Sequence, residues 1–440
     1  MMLLGLSFGS FHINSQETNE ESNLLERNKL QEQFLNLFDQ ERYEESIAVA
    51  TRIVDLTEKT YGPEDYKLIT PLNNLASAFY MIDDFDQSQI IFQRCIKLIE
   101  SNQNIISPEL ISPLYGFGLT LNRFEEYDKA VNILERALRI NHVNGGFYNL
   151  EQLKIHDSLT ESFIGLRNFD KANHHQNFQV YVNKNHFGIE NPMVDESLIK
   201  LAKWYKRSGQ VYSEREIHTD ILERQTKRND QNLGELIETF KNISYSHRRE
   251  GMDIYQSLSP LKKALQAIDA SEEKNLFLKL EVLLDLGDTY NSFGRAESAK
   301  KAYQDCWQLI EEDESMGSVI KERFSKPIRV RNILIPSKYP IKIKDSENQT
   351  FASGFIAIQY SINLNGNTDN IEIIESEPQK LIDKVAISAI RNTVYRPVYI
   401  DAVPQESTGM SVRHTFSYPL KNTEEPEPVI EDKPLDNPIA

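Results

Sequence analysis

The chain has 440 residues, of which 49 are basic and 66 acidic, for a formal net charge of −17. That length allows two or three domains, and the acidic balance argues against nucleic acid as the main partner, because phosphate binding needs a clustered basic surface. No apolar run reaches the roughly eighteen residues of a membrane-spanning helix, and 40% hydrophobic with 26% charged residues is an ordinary globular composition.

Residues 1–16 open with the apolar run MMLLGLSFGSFHI, and polar residues follow to 22. The run has the length of a signal-peptide apolar core, yet no Lys or Arg precedes it and no small-x-small cleavage site follows. Two readings stand: an export signal whose basic start was lost to a misassigned first codon, or a frayed N-terminus.

From 28 to 324 the pattern is a pair of amphipathic helices, repeated about seven times. Residues 114–140 show it best. Leu114, Phe117, Gly118 and Leu121 share one helical face, a break falls at 122–126, and Tyr127, Ala130, Leu134, Ala137 and Ile140 line a second face. Such a hairpin cannot bury its apolar side alone. Tyr43, Phe85, Tyr127 and Phe169 open the second helices 42 residues apart, Val211 falls 42 further on, and Ile254 and Ala296 are again 42 apart. Repeat seven is clean, with Leu283, Leu286, Gly287 and Tyr290, then Ala299, Tyr303, Cys306 and Leu309. Repeat four sets polar Gln176 and Gln179 where apolar residues are usual, and repeat six is degenerate. Cys95 and Cys306 share one small apolar slot and read as buried free thiols, with no disulfide expected.

These residues resemble the tetratricopeptide repeat family, whose usual period is about 34 residues. A period of 42 requires longer helices or a longer turn. TYGP at 60–63 with LNNLA at 72–76 is similar to the long-period variety of kinesin light chains. The resemblance implies stacked hairpins with a concave groove, lined by first helices, that binds protein or peptide partners. In the family the groove residues lie one, five and eight positions after the first apolar residue. Here they are Asn73, Ser77 and Tyr80, then Tyr115, Leu119 and Asn122, then Asp157, Glu161 and Ile164, then Ile199, Lys203 and Lys206. Their mixed charge does not fit a clamp for a C-terminal carboxylate.

Helical periodicity ends near Phe324, and Pro327, Pro336 and Pro340 exclude a continuous helix. From Gly354 the period becomes two: Ile356, Ile358, Tyr360, Ile362 and Leu364 share a face. Asn365-Gly366 signals a hairpin, and 369–374 is the return strand. Ser376 with Gln379 predicts a capping box opening a helix whose stripe is Leu381, Ile382, Val385, Ala386, Ala389 and Ile390. Alternation of Met410, Val412, His414, Phe416 and Tyr418 with Ser411, Arg413, Thr415 and Ser417 predicts a last strand. The expected fold class is mainly α: a tetratricopeptide-type helical solenoid followed by a small α+β domain at 326–420, with an acidic, Pro-rich disordered tail at 421–440.

Residues 326–420 resemble the C-terminal domain of the TonB family through Pro336 with Tyr339-Pro340, Gly354, Asn365-Gly366, Tyr395-Arg396-Pro397 and Phe416. The family's Ala-rich helix is replaced at 341–353 by a polar stretch. The resemblance implies a periplasmic domain that adds a strand to its sheet edge, taking the N-terminal peptides of outer-membrane transporters. The docking edge it implies comprises Tyr339, Pro340, Ser411, Arg413, Thr415 and Ser417.

No Gly-rich phosphate loop, HExxH or G-x-S-x-G motif occurs, and no catalytic, metal or cofactor site is expected. Adjacent His174 and His175 read as surface or groove histidines, and His414 as a satisfied core histidine. Two functions compete: a non-enzymatic periplasmic interaction protein, and a cytoplasmic scaffold whose C-terminal domain only caps the array.

Overall fold

The computed structural model describes residues 11–228, 232–272, 274–339 and 350–420, with side chains from 23 onward. The apolar start at 1–10, Pro340 with 341–349, and the tail at 421–440 lie outside the described residues. The chain divides into two compact units between Leu201 and Ala202.

The first unit is built of helical hairpins. Helix α1 (Phe11–Asp39) pairs with α2 (Tyr43–Tyr61), α3 (Ile69–Met81) with α4 (Phe85–Asn102), α5 (Ile111–Arg123) with α6 (Tyr127–Gly145), and α7 (Leu153–Gly165) with α8 (Phe169–Phe187). Helix α9 (Met193–Arg207) runs through the division. The expected openings of the second helices, Tyr43, Phe85, Tyr127 and Phe169, each begin a helix. The long period has two sources. Second helices run to 18 or 19 residues, and a 3-10 turn (Tyr66–Leu68, Pro108–Leu110, Leu150–Gln152) precedes each of α3, α5 and α7.

Each turn within a hairpin reverses through one left-handed residue: Glu41, Asp83, Glu125 and Arg167, with φ near +60°. The next amide reaches back across the turn, as from Glu126 N to Leu121 O at 2.9 Å and from Asn168 N to Phe163 O at 2.8 Å. A second periodic device joins neighbouring repeats. Arg94 pairs with Glu58 and donates to Pro63 O, and 42 residues on Arg136 pairs with Glu100 and donates to Ile105 O. Asn102 and Asn144 likewise donate to Glu64 O and Ile106 O. Where helices cross, small residues set the spacing. A Cβ on Gly118 would lie 2.5 Å from Leu134 Cδ2. Both cysteines are buried and free.

In the second unit α10 (Val211–Lys227), α11 (Leu233–Glu250), α12 (Ile254–Ala270), α13 (Leu276–Ser292), α14 (Ala296–Glu312) and α15 (Met316–Phe324) continue the hairpins. Val211, Ile254 and Ala296 open helices as expected. Repeat six holds one additional residue. Its left-handed Gly251 lies three residues before Ile254, whereas Gly209 and Gly294 lie two before Val211 and Ala296.

Strand β1 (Ile328–Arg331) follows. Strands β2 (Phe351–Ile362) and β3 (Thr368–Glu377) precede α16 (Asp383–Arg391) in the chain, and β4 (Val394–Arg396), β5 (Val398–Ile400), β6 (Val403–Gln405) and β7 (Ser407–Pro419) follow it. The main sheet is antiparallel in the order β3-β2-β7, β1 pairs with β4, and β5 with β6. Ile356, Ile358, Tyr360 and Ile362 pack with Ile382, Ala386 and Ile390 of the helical segment. The fold class is therefore mainly α, helical hairpins of tetratricopeptide type followed by a small α+β domain.

Three sequence expectations change, at the start of the last helix, at Val385, and at Leu364, which is exposed in the expected hairpin's loop rather than on the apolar face of β2. The helix starts at Asp383, not at a Ser376 capping box. Ser376 lies in β3, and its Oγ donates to Asp383 Oδ1 at 2.7 Å. Glu377 precedes a proline, which favours extended backbone and postpones the helix. Val385 is exposed and leaves the apolar stripe. The hairpin is a five-residue loop, 363–367, in which Asn363 Oδ1 accepts from the amides of Asn365 and Asn367. Gly366 has φ +80°, and a Cβ there would strike Tyr395 O.

Candidate partner-binding surfaces

The groove positions of the first unit lie on α3, α5 and α7. Asn73 is half-buried and accepts from Ser112 Oγ, and Ser77 Oγ turns back to Asn73 O. The Tyr80 hydroxyl accepts from Arg123 Nε at 3.3 Å. Tyr115 carries Lys154 Nζ over its ring at 5.1 Å, and burial, together with Asp157 nearby, pushes its phenol up. Asp157 accepts from Gln179 Nε2 at 2.8 Å, Gln176 Nε2 at 3.2 Å and Lys200 Nζ at 2.6 Å. Glu161 is exposed and makes no hydrogen bond or ion pair among the described residues. Tyr80, Tyr115, Arg123, Asp157 and Glu161 thus form one electrostatic neighbourhood.

Asn122 does not belong to it. It is buried, its Nδ2 donates to Ser158 O at 3.1 Å and its Oδ1 accepts from Ser162 Oγ at 2.7 Å. It joins two repeats, because an amide offers a donor and an acceptor to the polar face of the next first helix.

In the second unit Lys203 and Lys206 are exposed on α9, and Lys206 Nζ stands 4.7 Å over the Tyr245 ring. The turn glycines place Tyr245 and Arg248 of repeat six, and Asp288 and Asn291 of repeat seven, at the groove positions of Lys203 and Lys206. In repeat seven these positions are filled by the chain itself. Arg396 Nε and Nη2 donate to Asp288 Oδ1 and Oδ2, Tyr303 OH also donates to Asp288, and Asn291 Nδ2 donates to Tyr395 O at 2.7 Å. Tyr399 joins the apolar core of the last repeats.

The last strand pairs with β2 along one edge. On its other edge Ser417 N donates to Ser337 O and Tyr339 N to Ser417 O, both at 2.8 Å. Tyr339 and Ser417 of the expected docking edge are therefore spent on each other. Pro340 lies outside the described residues. Strand alternation turns the backbone groups of Ser411, Arg413 and Thr415 to the same side as Ser417. No described residue pairs with them there. The Arg413 guanidinium stacks 3.7 Å over the Phe355 ring, and His414 Nε2 meets Pro336 O at 3.0 Å.

Sequence reasoning missed the interior of repeat four. His156 occupies the slot of Leu72 and Leu114, and its Nδ1 lies 2.8 Å from Nδ1 of His175. His142 and His156 share Gln152 Oε1. Burial, reinforced by neighbouring imidazoles, lowers His156 to about 3 and His175 to about 4. His175 is thus an inward residue rather than a surface one, because adjacent helical residues point to different sides. The visible signal was a histidine and two glutamines at core positions of one repeat. Among the described residues no group of three or more His, Cys, Asp or Glu could hold a metal ion.

This combination of stacked hairpins and an edge-bearing α+β domain defines a repeat-built binding protein. Residues 35–101 and 280–313 match models of the tetratricopeptide repeat, and 338–418 match that of the Gram-negative bacterial TonB protein C-terminal domain. The chain therefore carries tetratricopeptide repeats and a C-terminal domain of TonB type. No curated protein matches it. Among solved structures, kinesin light chain repeats of Podosopora anserina are 15% identical over 46% of this chain and 94% of theirs, TM-score 0.41. BtubC from P. vanneervenii is 18% identical over 53% and 94%, TM-score 0.37. A Rap protein complexed with competence and sporulation factor is 15% identical over 70% and 80%, TM-score 0.37. No helix among the described residues is long and apolar enough to cross a membrane.

Proposed function

We propose that the protein is a non-enzymatic periplasmic interaction protein. Its repeats hold a partner segment in the groove of first helices, and its TonB-type domain docks an extended peptide, such as the N-terminal segment of an outer-membrane transporter, during TonB-dependent transport. The carrying observation is the outer edge of β7, where Ser411, Arg413 and Thr415 turn backbone groups away from the sheet. Such an edge takes a strand through main-chain hydrogen bonds. Proline removes a donor from that edge without altering the core face. In titrations of the full chain with transporter N-terminal peptides, Thr415→Pro abolishes binding and Thr415→Ala preserves it. Binding that survives Thr415→Pro in a folded variant excludes this edge. Fractionation of the native host tests the periplasmic location.

A second reading, a scaffold in the cytoplasm whose C-terminal domain only caps the array, has its own support. Arg396 and Tyr399 are buried in the last repeat, as a cap requires. Cytoplasmic fractionation together with failure of every peptide to bind selects it.

A further inference from the structure

The last repeat contains its own bound segment. Backbone β4 is extended, its Arg396 side chain meets Asp288, and its Tyr395 carbonyl meets Asn291. Asp288 lies six residues before the left-handed turn residue Gly294, and Asn291 three before. The same count back from Asp83, Glu125 and Arg167 gives Ser77, Leu119 and Glu161 in the first unit. Glu161 is the one acid of these three, and it is exposed with no partner among the described residues.

Its surroundings suit a cation. Tyr115 stands in electrostatic range of Glu161, Asp157 and Tyr80. The ring of Tyr115 already carries a resident cation, the exposed Lys154 side chain. A guanidinium over a tyrosine face gains from the ring quadrupole as well as from a carboxylate. Arg123 feels the Glu161 charge but makes no ion pair with it, its Nε donating to the Tyr80 hydroxyl instead. The wider field points the same way. Residues 1–201 contain 29 acids and 17 bases, hence −12 of the −17 charges. That field draws cationic segments and repels acidic ones.

We infer that the groove of repeats two to four receives an extended, arginine-bearing segment of a partner protein, its guanidinium on Glu161 and against Tyr115. The inference rests on the groove reading above and adds the chemical class of the partner. The segment displaces Lys154 from the ring, and the partner is basic where it enters.

The test uses the full chain and a synthetic peptide with the sequence of residues 392–399, NTVYRPVY, beside the same peptide carrying Arg396→Gln. The site in repeat seven is closed to both by the chain's own strand. Calorimetric titration at low salt shows binding of the arginine peptide, weakening with added salt. Glu161→Gln weakens it about tenfold, Tyr115→Leu several-fold, and the glutamine peptide loses about as much as the Glu161 variant. Glu161 is exposed, so its variant keeps the helical circular dichroism of the parent. If the two peptides bind equally, or Glu161→Gln changes nothing, the cation pocket is wrong while the groove reading stands. If no peptide of either kind binds, the groove reading falls with it.

Discussion

The Arg396 guanidinium grips the Asp288 carboxylate through two hydrogen bonds of 2.8 and 2.7 Å, with both side chains over nine-tenths buried. Burial alone would lower the guanidinium, but Asp288 outweighs it and raises Arg396. Burial, with Asp288 adding to it, drives Tyr303 well above the usual phenol range, so its hydroxyl stays a donor. The pair ties the α+β domain to repeat seven.

Removing one member of such a pair leaves a buried charge uncompensated. Arg396→Ala should lower the stability of the second unit by about 3–5 kcal/mol. Guanidinium chloride unfolding of the full chain, followed by the near-ultraviolet signal of its tyrosines, measures this. A loss below about 1 kcal/mol would mean that Asp288 finds water or another cation.

The crossing of α5 and α6 depends on Gly118. A leucine there drives into Leu134 and should cost about 2–4 kcal/mol. The steric origin has its own check. Leu134→Ala in the Gly118→Leu background should recover at least half of the loss, because the two side chains compete for one volume. Additive losses in thermal melts would place the damage elsewhere.

Glu125 sits at φ +58° in the turn between these helices, where Gly209 and Gly294 serve the later repeats. A left-handed conformation costs a side-chain-bearing residue about 1 kcal/mol. Glu125→Gly should therefore stabilise the chain by up to about 1 kcal/mol, read as a rise in the denaturant midpoint. An unchanged or lower midpoint would mean that the lost unfolded-state entropy dominates.

The period of 42 was legible because an aromatic residue opens the second helix in each of the first four repeats, and Val211, Ile254 and Ala296 keep that register with one residue added in repeat six. The αβ order of the last domain was legible from period two and from Asn365-Gly366. The recurrence of Arg94 at Arg136, and of Asn102 at Asn144, was equally present but carries meaning only once the loop carbonyls are located. What stayed hidden depended on partners distant in sequence. Asn122 looks like a groove residue until Ser158 and Ser162 are placed against it. Asp288 looks like an open groove acid until Arg396, more than a hundred residues on, is seen on it. Ser376 failed as a cap because the proline two residues later set the local backbone.

Repeat four makes stability depend on pH. His156 and His175 are neutral in the folded chain, the first held to about 3 by burial and by His175 beside it, the second to about 4 by burial and by His174 and Lys171, against an ordinary value near 6.5. Between those limits the unfolded chain binds more protons than the folded one, so stability rises with pH across this window. It is complete above about 6.5 and is lost progressively as the solution is acidified toward 4. The loss should reach about 2–3 kcal/mol for each histidine by pH 4.5. Urea midpoints from pH 7.5 to 4.5, compared with His156→Leu, isolate the pair. Leucine restores the residue type of Leu72 and Leu114, relieves His175 of its nearest imidazole, and should flatten the dependence by at least half. If the variant keeps the full slope, His218, which burial also lowers to about 4, or carboxylates rather than this histidine pair govern the acid response.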